Sequence, residues 1–140
     1  MKKILFIILS LFALNGMAQE AGNVTGTLLP SLARTATANS ATLNNSSWKG
    51  VKVIINMSAF TSGTFTAHIQ GQNPITSAYY DVCVSPAIVA TGVTVLTVYP
   101  GLTNSSNVIC SDILPAIWRL SVVGASTPVG TYSASMSLNY

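Results

Sequence analysis

The chain has 140 residues, 49% of them hydrophobic and only 6% charged, with a formal net charge of +3. Lys2 and Lys3 open the chain, and beyond them Arg34, Lys49, Lys52 and Arg119 stand against Glu20, Asp81 and Asp112, so the bulk of the sequence is close to neutral. A near-neutral chain lacks the basic field that draws proteins to phosphate backbones, which argues against nucleic acid as a partner, and low charge favours association with other protein surfaces.

The first residues, MKKILFIILSLFALNGMAQ, carry the three parts of a secretory signal: basic Lys2 and Lys3, apolar Ile4 to Leu14, and the small-residue site Gly16-Met17-Ala18. The apolar stretch is too short to span a bilayer, which takes roughly 20 residues. A signal peptide over residues 1–18 is therefore expected, with a mature chain starting at Gln19, exported to the periplasm, cell surface or medium and free of the membrane after cleavage. Residues 19–47 read as an N-terminal extended segment (Val24 to Leu32) followed by TATANSATLNNSS, a loop or arm with little to bury. The remaining stretch, 48–140, reads as one β-sandwich domain.

Within that stretch the recurring pattern is period-2 alternation, bounded by Gly, Pro, Asn and Ser. WKGVKVIINMSAF aligns Val51, Val53, Ile55 and Met57 on one face, and TFTAHIQ aligns Phe65, Ala67 and Ile69. AYYDVCV groups Tyr80, Val82 and Val84 opposite Tyr79, Asp81 and Cys83. GVTVLTVY is apolar on both faces, as expected of a central or doubly covered strand, and Pro100-Gly101 stop it. IWRLSVV turns Trp118, Leu120 and Val122 inward, and GTYSASMSLNY sets Tyr132, Ala134, Met136 and Leu138 against Ser133, Ser135 and Ser137. Strands at this spacing without helices predict an all-β fold. The expected form is an antiparallel β-sandwich, jelly-roll or immunoglobulin-like, of about six to eight strands. The Cys…Trp…Cys order of an immunoglobulin domain is absent, because Trp118 follows both cysteines.

Cys83 and Cys110 are the only cysteines, and in an exported chain one intramolecular disulfide is the expected state; two buried thiols or an intermolecular bond are the alternatives. Catalytic chemistry has few carriers. His68 is the single histidine, and Asp81 or Asp112 would have to orient it in a Ser-His-Asp arrangement, yet no nucleophile-elbow pattern marks a serine. Asp112, in CSDILP, reads as a turn residue. One histidine and scattered acids do not make a metal set, and no phosphate-cradling glycine loop occurs. No catalytic, metal or cofactor site is expected. Trp48, Tyr79 and Tyr99 are the candidate binding surface, since rings with polar tips anchor glycans and peptides.

Several pieces in order, GTLLPSLARTATANSA, KGVKVIINM, AHIQGQNPITSAYYDV, ATGVTVLTVYPGL, DILPAIWRLSV and TYSASMSLNY, make the chain from Asn23 to Tyr140 resemble a family of small proteins encoded by tailed bacteriophages and prophages. Those proteins have the look of accessory virion components, head-decoration or fibre-like. The resemblance implies a non-enzymatic structural role through self-association or contact with other virion or cell-surface proteins, and it transfers no catalytic residue. A signal peptide is not usual in that family. A secreted bacterial glycan- or surface-binding β-sandwich module is the alternative.

Overall fold

A computed structural model describes residues 24–105 and 108–140. The signal peptide and the start at Gln19 lie outside those residues. The described chain forms eight strands: β1 (Val24–Arg34), β2 (Ala38–Asn39), β3 (Leu43–Asn44), β4 (Gly50–Gln72), β5 (Tyr79–Val84), β6 (Gly92–Val98), β7 (Ile109–Cys110) and β8 (Ile117–Asn139).

Two strands of 23 residues organise the others. They pair antiparallel along their length, from Gly50 opposite Asn139 to Gly71 opposite Trp118. Straight strands of that size would reach roughly 75 Å, far more than one small domain spans. Both are creased midway. The register shifts three times, between Met57 and Ala59, Phe60 and Ser62, and Ser62 and Thr64. Gly63 turns with φ of 76°, and Ser126 and Thr127 on the facing strand adopt 58° and 53°. Pro128 is buried at the inside of the crease. A Cβ on Gly63 would lie 2.6 Å from Pro128 Cα, and one on Gly124 would lie 2.6 Å from Pro128 Cγ, so the fold-over needs glycine at both places. The Ser62 hydroxyl donates to the Thr127 carbonyl at 2.8 Å and ties the two strands where their ladder is irregular.

Folding at the crease makes the two layers of a β-sandwich. In the first layer the near half of β4 and the far half of β8 are flanked by β1 on one side and by β6, then β7, on the other, in the order β1-β8-β4-β6-β7. In the second layer β2 and β3 pair with the start of β8, and β5 pairs with the end of β4. All pairings are antiparallel except β6 with β7. The core lies between: Val51, Val53, Ile55 and Met57 with Ala134 and Leu138 from one layer, Phe65, Ala67, Ile69, Trp118, Leu120 and Val122 from the other. Phe65 meets Tyr132 edge-on across the core at 5.3 Å between ring centres. Toward the open end, Cys83 of β5 and Cys110 of β7 are bonded, so the disulfide joins one layer to the other.

Four expectations change. The segments Val51–Met57 and Phe65–Ile69 belong to one strand, as do Trp118–Val122 and Tyr132–Leu138. Alternation keeps the same parity on both sides of the crease, while Ser62-Gly63 and Ser126–Pro128 look locally like turns. β6 is covered on one face only: Leu96 and Val98 are buried, but Val93 is 64% and Val95 37% exposed. In β5 it is Cys83, paired with the inward Ile69, that points into the core; beyond it a register shift between Ile69 and Gln70 sets Asp81 beside Gln70 and lays Tyr80 against Gly71, where Tyr80 stays half exposed. Lastly, residues 24–47 do not form an arm outside the sandwich. β1 pairs along β8 and contributes Leu28 and Leu29 to the core, and Ser40 and Asn45 donate backbone bonds to Leu120 and Ala116 at 2.8 and 2.7 Å.

Arg34 pins the end of β1. Its guanidinium lies 4.4 Å from the centre of the Tyr132 ring and donates to the carbonyls of Tyr132, Pro30 and Leu32 at 2.7, 2.9 and 3.1 Å. Tyr132 is fully buried and its hydroxyl has no hydrogen-bond partner among the described residues. Burial pushes the pKa of that hydroxyl up, and the nearby Arg34 charge pulls it part of the way back.

Candidate functional site

The chain's polar chemistry gathers on the outer face of the second layer, where β5, β4 and β8 run side by side. Period 2 sends His68 and Gln70 outward from β4 because Phe65, Ala67 and Ile69 turn inward. Across the ladders, His68 stands opposite Ser121 of β8, and Gln70 stands between Asp81 of β5 and Arg119 of β8. Gln70 joins the row with both ends of its amide. The nitrogen donates to Asp81 Oδ1 at 2.9 Å, and the oxygen accepts from Arg119 Nε at 3.0 Å. The Arg119 guanidinium then stacks on the Tyr79 ring, 3.6 Å from its centre, and the Tyr79 hydroxyl bonds to Thr42 at 2.7 Å. His68 Nδ1 lies 3.0 Å from Asp81 Oδ2, close enough for an ion pair when the ring is protonated but without the alignment of a hydrogen bond.

Ser121 thus stands opposite His68, and Asp81 reaches His68 diagonally from its place opposite Gln70, which gives the residue types of a hydrolytic triad in the right order. Their environment is not that of a nucleophile. Ser121 is buried, among the described contacts no hydrogen bond joins it to His68, and Asp81 is already shared with Gln70. Asp112 is apart from this row and accepts from the Ile113 backbone at 2.7 Å, the turn role read from CSDILP. Among the described residues no group of three or more His, Cys, Asp or Glu is placed to hold a metal ion.

The three candidate aromatics divide between two places. Trp48 and Tyr99 converge on Tyr140. The Trp48 and Tyr140 rings lie 4.2 Å apart at 47°, and the Tyr99 hydroxyl donates to the Tyr140 carbonyl at 2.7 Å. Asn45 holds the backbone of Trp48 from both sides, accepting from its N–H at 2.9 Å and donating to its carbonyl at 2.8 Å. Tyr79 is separate, its ring under Arg119. Tyr140 escaped notice in the sequence because its partner Trp48 is distant in the chain; its place one residue beyond β8, within a period-2 pattern, was the available signal.

The outer face of the first layer is different. Thr25, Thr27, Ser133, Ser135 and Ser137 give it a hydroxyl-rich half over β1 and β8, and Ile54, Val93 and Val95 give it an apolar half over β4 and β6. Among the described residues of its strands it presents one charged side chain, Lys52.

No family model matches the sequence, and no curated protein is similar to it in sequence. The fold is shared with a solved structure. The crystal structure of the PBSX exported protein XepA matches 83% of this chain with a TM-score of 0.56 and 13% identity. The match takes in 37% of XepA, so this chain spans well under half the length of that protein. A structure of infectious bursal disease virus, Gx strain, is a more distant likeness, with a TM-score of 0.43 and 12% identity over 83% of this chain and 31% of that one.

Proposed function

We propose that this chain is a non-enzymatic structural protein of phage type, an exported virion accessory or decoration subunit that works through protein surfaces. The observation that carries the reading is the β-sandwich shared with the PBSX exported protein XepA over 83% of the chain. The order of the sequence pieces from GTLLPSLAR to TYSASMSLNY supports the same assignment. The surface fits it as well: its acidic and amide groups bond to one another rather than converging on a cleft, and its first layer offers a broad face with little charge. Export rests on the signal-like first residues and on the exported character of XepA.

Mass spectrometry of purified particles, and of the medium from particle-producing cells, tests this. The expected result is the chain in stoichiometric amounts in the particles, with an N-terminus at Gln19. Its absence from particles, together with secretion as an isolated protein, would overturn the virion role. A secreted glycan- or surface-binding module is the second reading. It is favoured by Tyr140, which is 47% exposed beside Trp48 and offers a ring to a sugar face. Titration with cell-surface polysaccharide, with Tyr140→Ala as the control, decides that reading: saturable binding lost in the variant supports it, and no binding removes it.

A further inference from the structure

We propose that the free edge of β6, Gly92 to Leu96, is a self-pairing strand that joins two copies of this chain edge to edge; the inference rests on the reading of the chain as a protein that works through protein surfaces.

Strand geometry identifies the open groups. The N–H of Thr97 and of Tyr99 donate to Val108 and Cys110 on the β7 side, at 2.7 and 3.2 Å. Backbone groups alternate sides along a strand, so odd-numbered residues of β6 point away from β4 and even-numbered ones toward it. β7 covers only Thr97 and Val98. The N–H and C=O groups of Val93 and Val95 therefore face outward, and no described residue pairs with them. Their side chains are 64% and 37% exposed on the outer face.

The other edges are blunted in the ways that keep sheets from joining. β1 carries Pro30 and two register shifts, and Arg34 occupies the carbonyls of Pro30 and Leu32. β5 carries the charge of Asp81 and a register shift, and β2 and β3 are two residues each. From Gly92 to Leu96, β6 has no charge, no proline and no register shift against β4. It is the bare edge of the sheet.

A second copy fits it by symmetry. A two-fold axis at Thr94 sets Val93 opposite the partner's Val95, and Val95 opposite the partner's Val93. Each pair then exchanges both backbone hydrogen bonds, and valine meets valine on the outer face. The length also matches. Gly92, with φ of 141° and open space around it, ends the strand where the facing copy's β7 begins, so the incoming chain can turn out of the sheet there. No charge on either edge opposes the approach. The overlap is shorter than a tight interface, which buries about 800 Å² per partner, so the contact is weak and concentration-dependent, of the kind that repetition in an array strengthens.

The register makes the proposal testable by charge. In a Val93→Lys, Val95→Lys variant, lysine faces lysine in both pairs; in Val93→Lys, Val95→Glu, lysine faces the partner's glutamate. Sedimentation velocity from micromolar to millimolar protein is expected to show reversible dimerisation of the unaltered chain. Dimerisation should be at least about tenfold weaker in the Lys/Lys variant and retained within about threefold in the Lys/Glu variant. Both sites are exposed, and unchanged circular dichroism checks that the variants fold. An unaltered chain that stays monomeric to millimolar concentration overturns the proposal, as does equal weakening of both variants. Because the assay uses purified protein, its outcome is independent of whether the chain is found in particles.

Discussion

Cys83 and Cys110 connect β5 of one layer to β7 of the other near the end of the sandwich away from the crease. At the crease the layers are joined by β4 and β8 themselves; toward the open end the chain crosses between layers from β3 to β4 and from β7 to β8, and this bond adds a covalent cross-link there. The sequence separation is 27 residues. Closing a loop of that length removes unfolded-state entropy equivalent to about 3.5 kcal/mol at 25 °C. Per-residue unfolding entropies then translate the loss into a fall in Tm of about 10–15 °C for a domain of this size. The perturbation is the double change Cys83→Ala, Cys110→Ala, with reduction of the native chain as an independent route to the same state. Melting followed by circular dichroism reads the effect. Thiol titration in denaturant should find no free thiol before reduction and both cysteines after it. A Tm shift below about 3 °C would show that packing and the chain connections hold the open end without the cross-link, and two thiols titrating without reduction would refute the pairing outright.

Gly63 and Gly101 both have positive φ, but a Cβ on Gly63 meets Pro128 Cα and the Ala125 carbonyl within 2.7 Å, whereas Gly101 has open space around it. Gly101→Ala is expected to cost about 1 kcal/mol from backbone strain, and Gly63→Ala about 3 kcal/mol or more, compared by denaturant unfolding. Equal costs would mean that the crease is not held by close packing. Tyr132→Phe removes a buried hydroxyl that has no partner among the described residues, so it should leave stability unchanged or raise it by up to about 1 kcal/mol in the same assay. The same hydroxyl makes the native chain sensitive to alkali. Its folded pKa lies above the ordinary value near 10, so the unfolded state gives up the proton first and stability falls as pH rises from about 10. That component of the pH dependence should vanish in Tyr132→Phe, and an unchanged alkaline slope would refute it.

Much of the fold could be read along the chain, because inward and outward residues of a half-buried strand alternate and that alternation is written locally. Val51 to Met57, Phe65 to Ile69, Trp118 to Val122 and Tyr132 to Leu138 are all inner-face sets in the structure, as their spacing implied. The all-β class, the turn role of Asp112 and the Cys83–Cys110 bond were likewise accessible from residue types and compartment. Other features depend on which strand lies beside which. Nothing local to Ser62-Gly63 distinguishes a turn between two strands from a crease within one; the opposing Ser126–Pro128 decides it. The inward turn of Cys83 follows from its pairing with Ile69 of β4, and the exposure of Val93 and Val95 follows from a layer that covers only one side of β6. The polar row Asp81–Gln70–Arg119–Tyr79 spans three strands, one of them β8, where Arg119 lies 49 residues on from Gln70, and no spacing within any one of them announces it. The sequence by itself thus determined which residues turn inward along most strands, since alternation is a property of one strand. Tertiary structure alone decided the two-layer fold-over, the composition of the outer faces and the open edge of β6, since those are properties of neighbours.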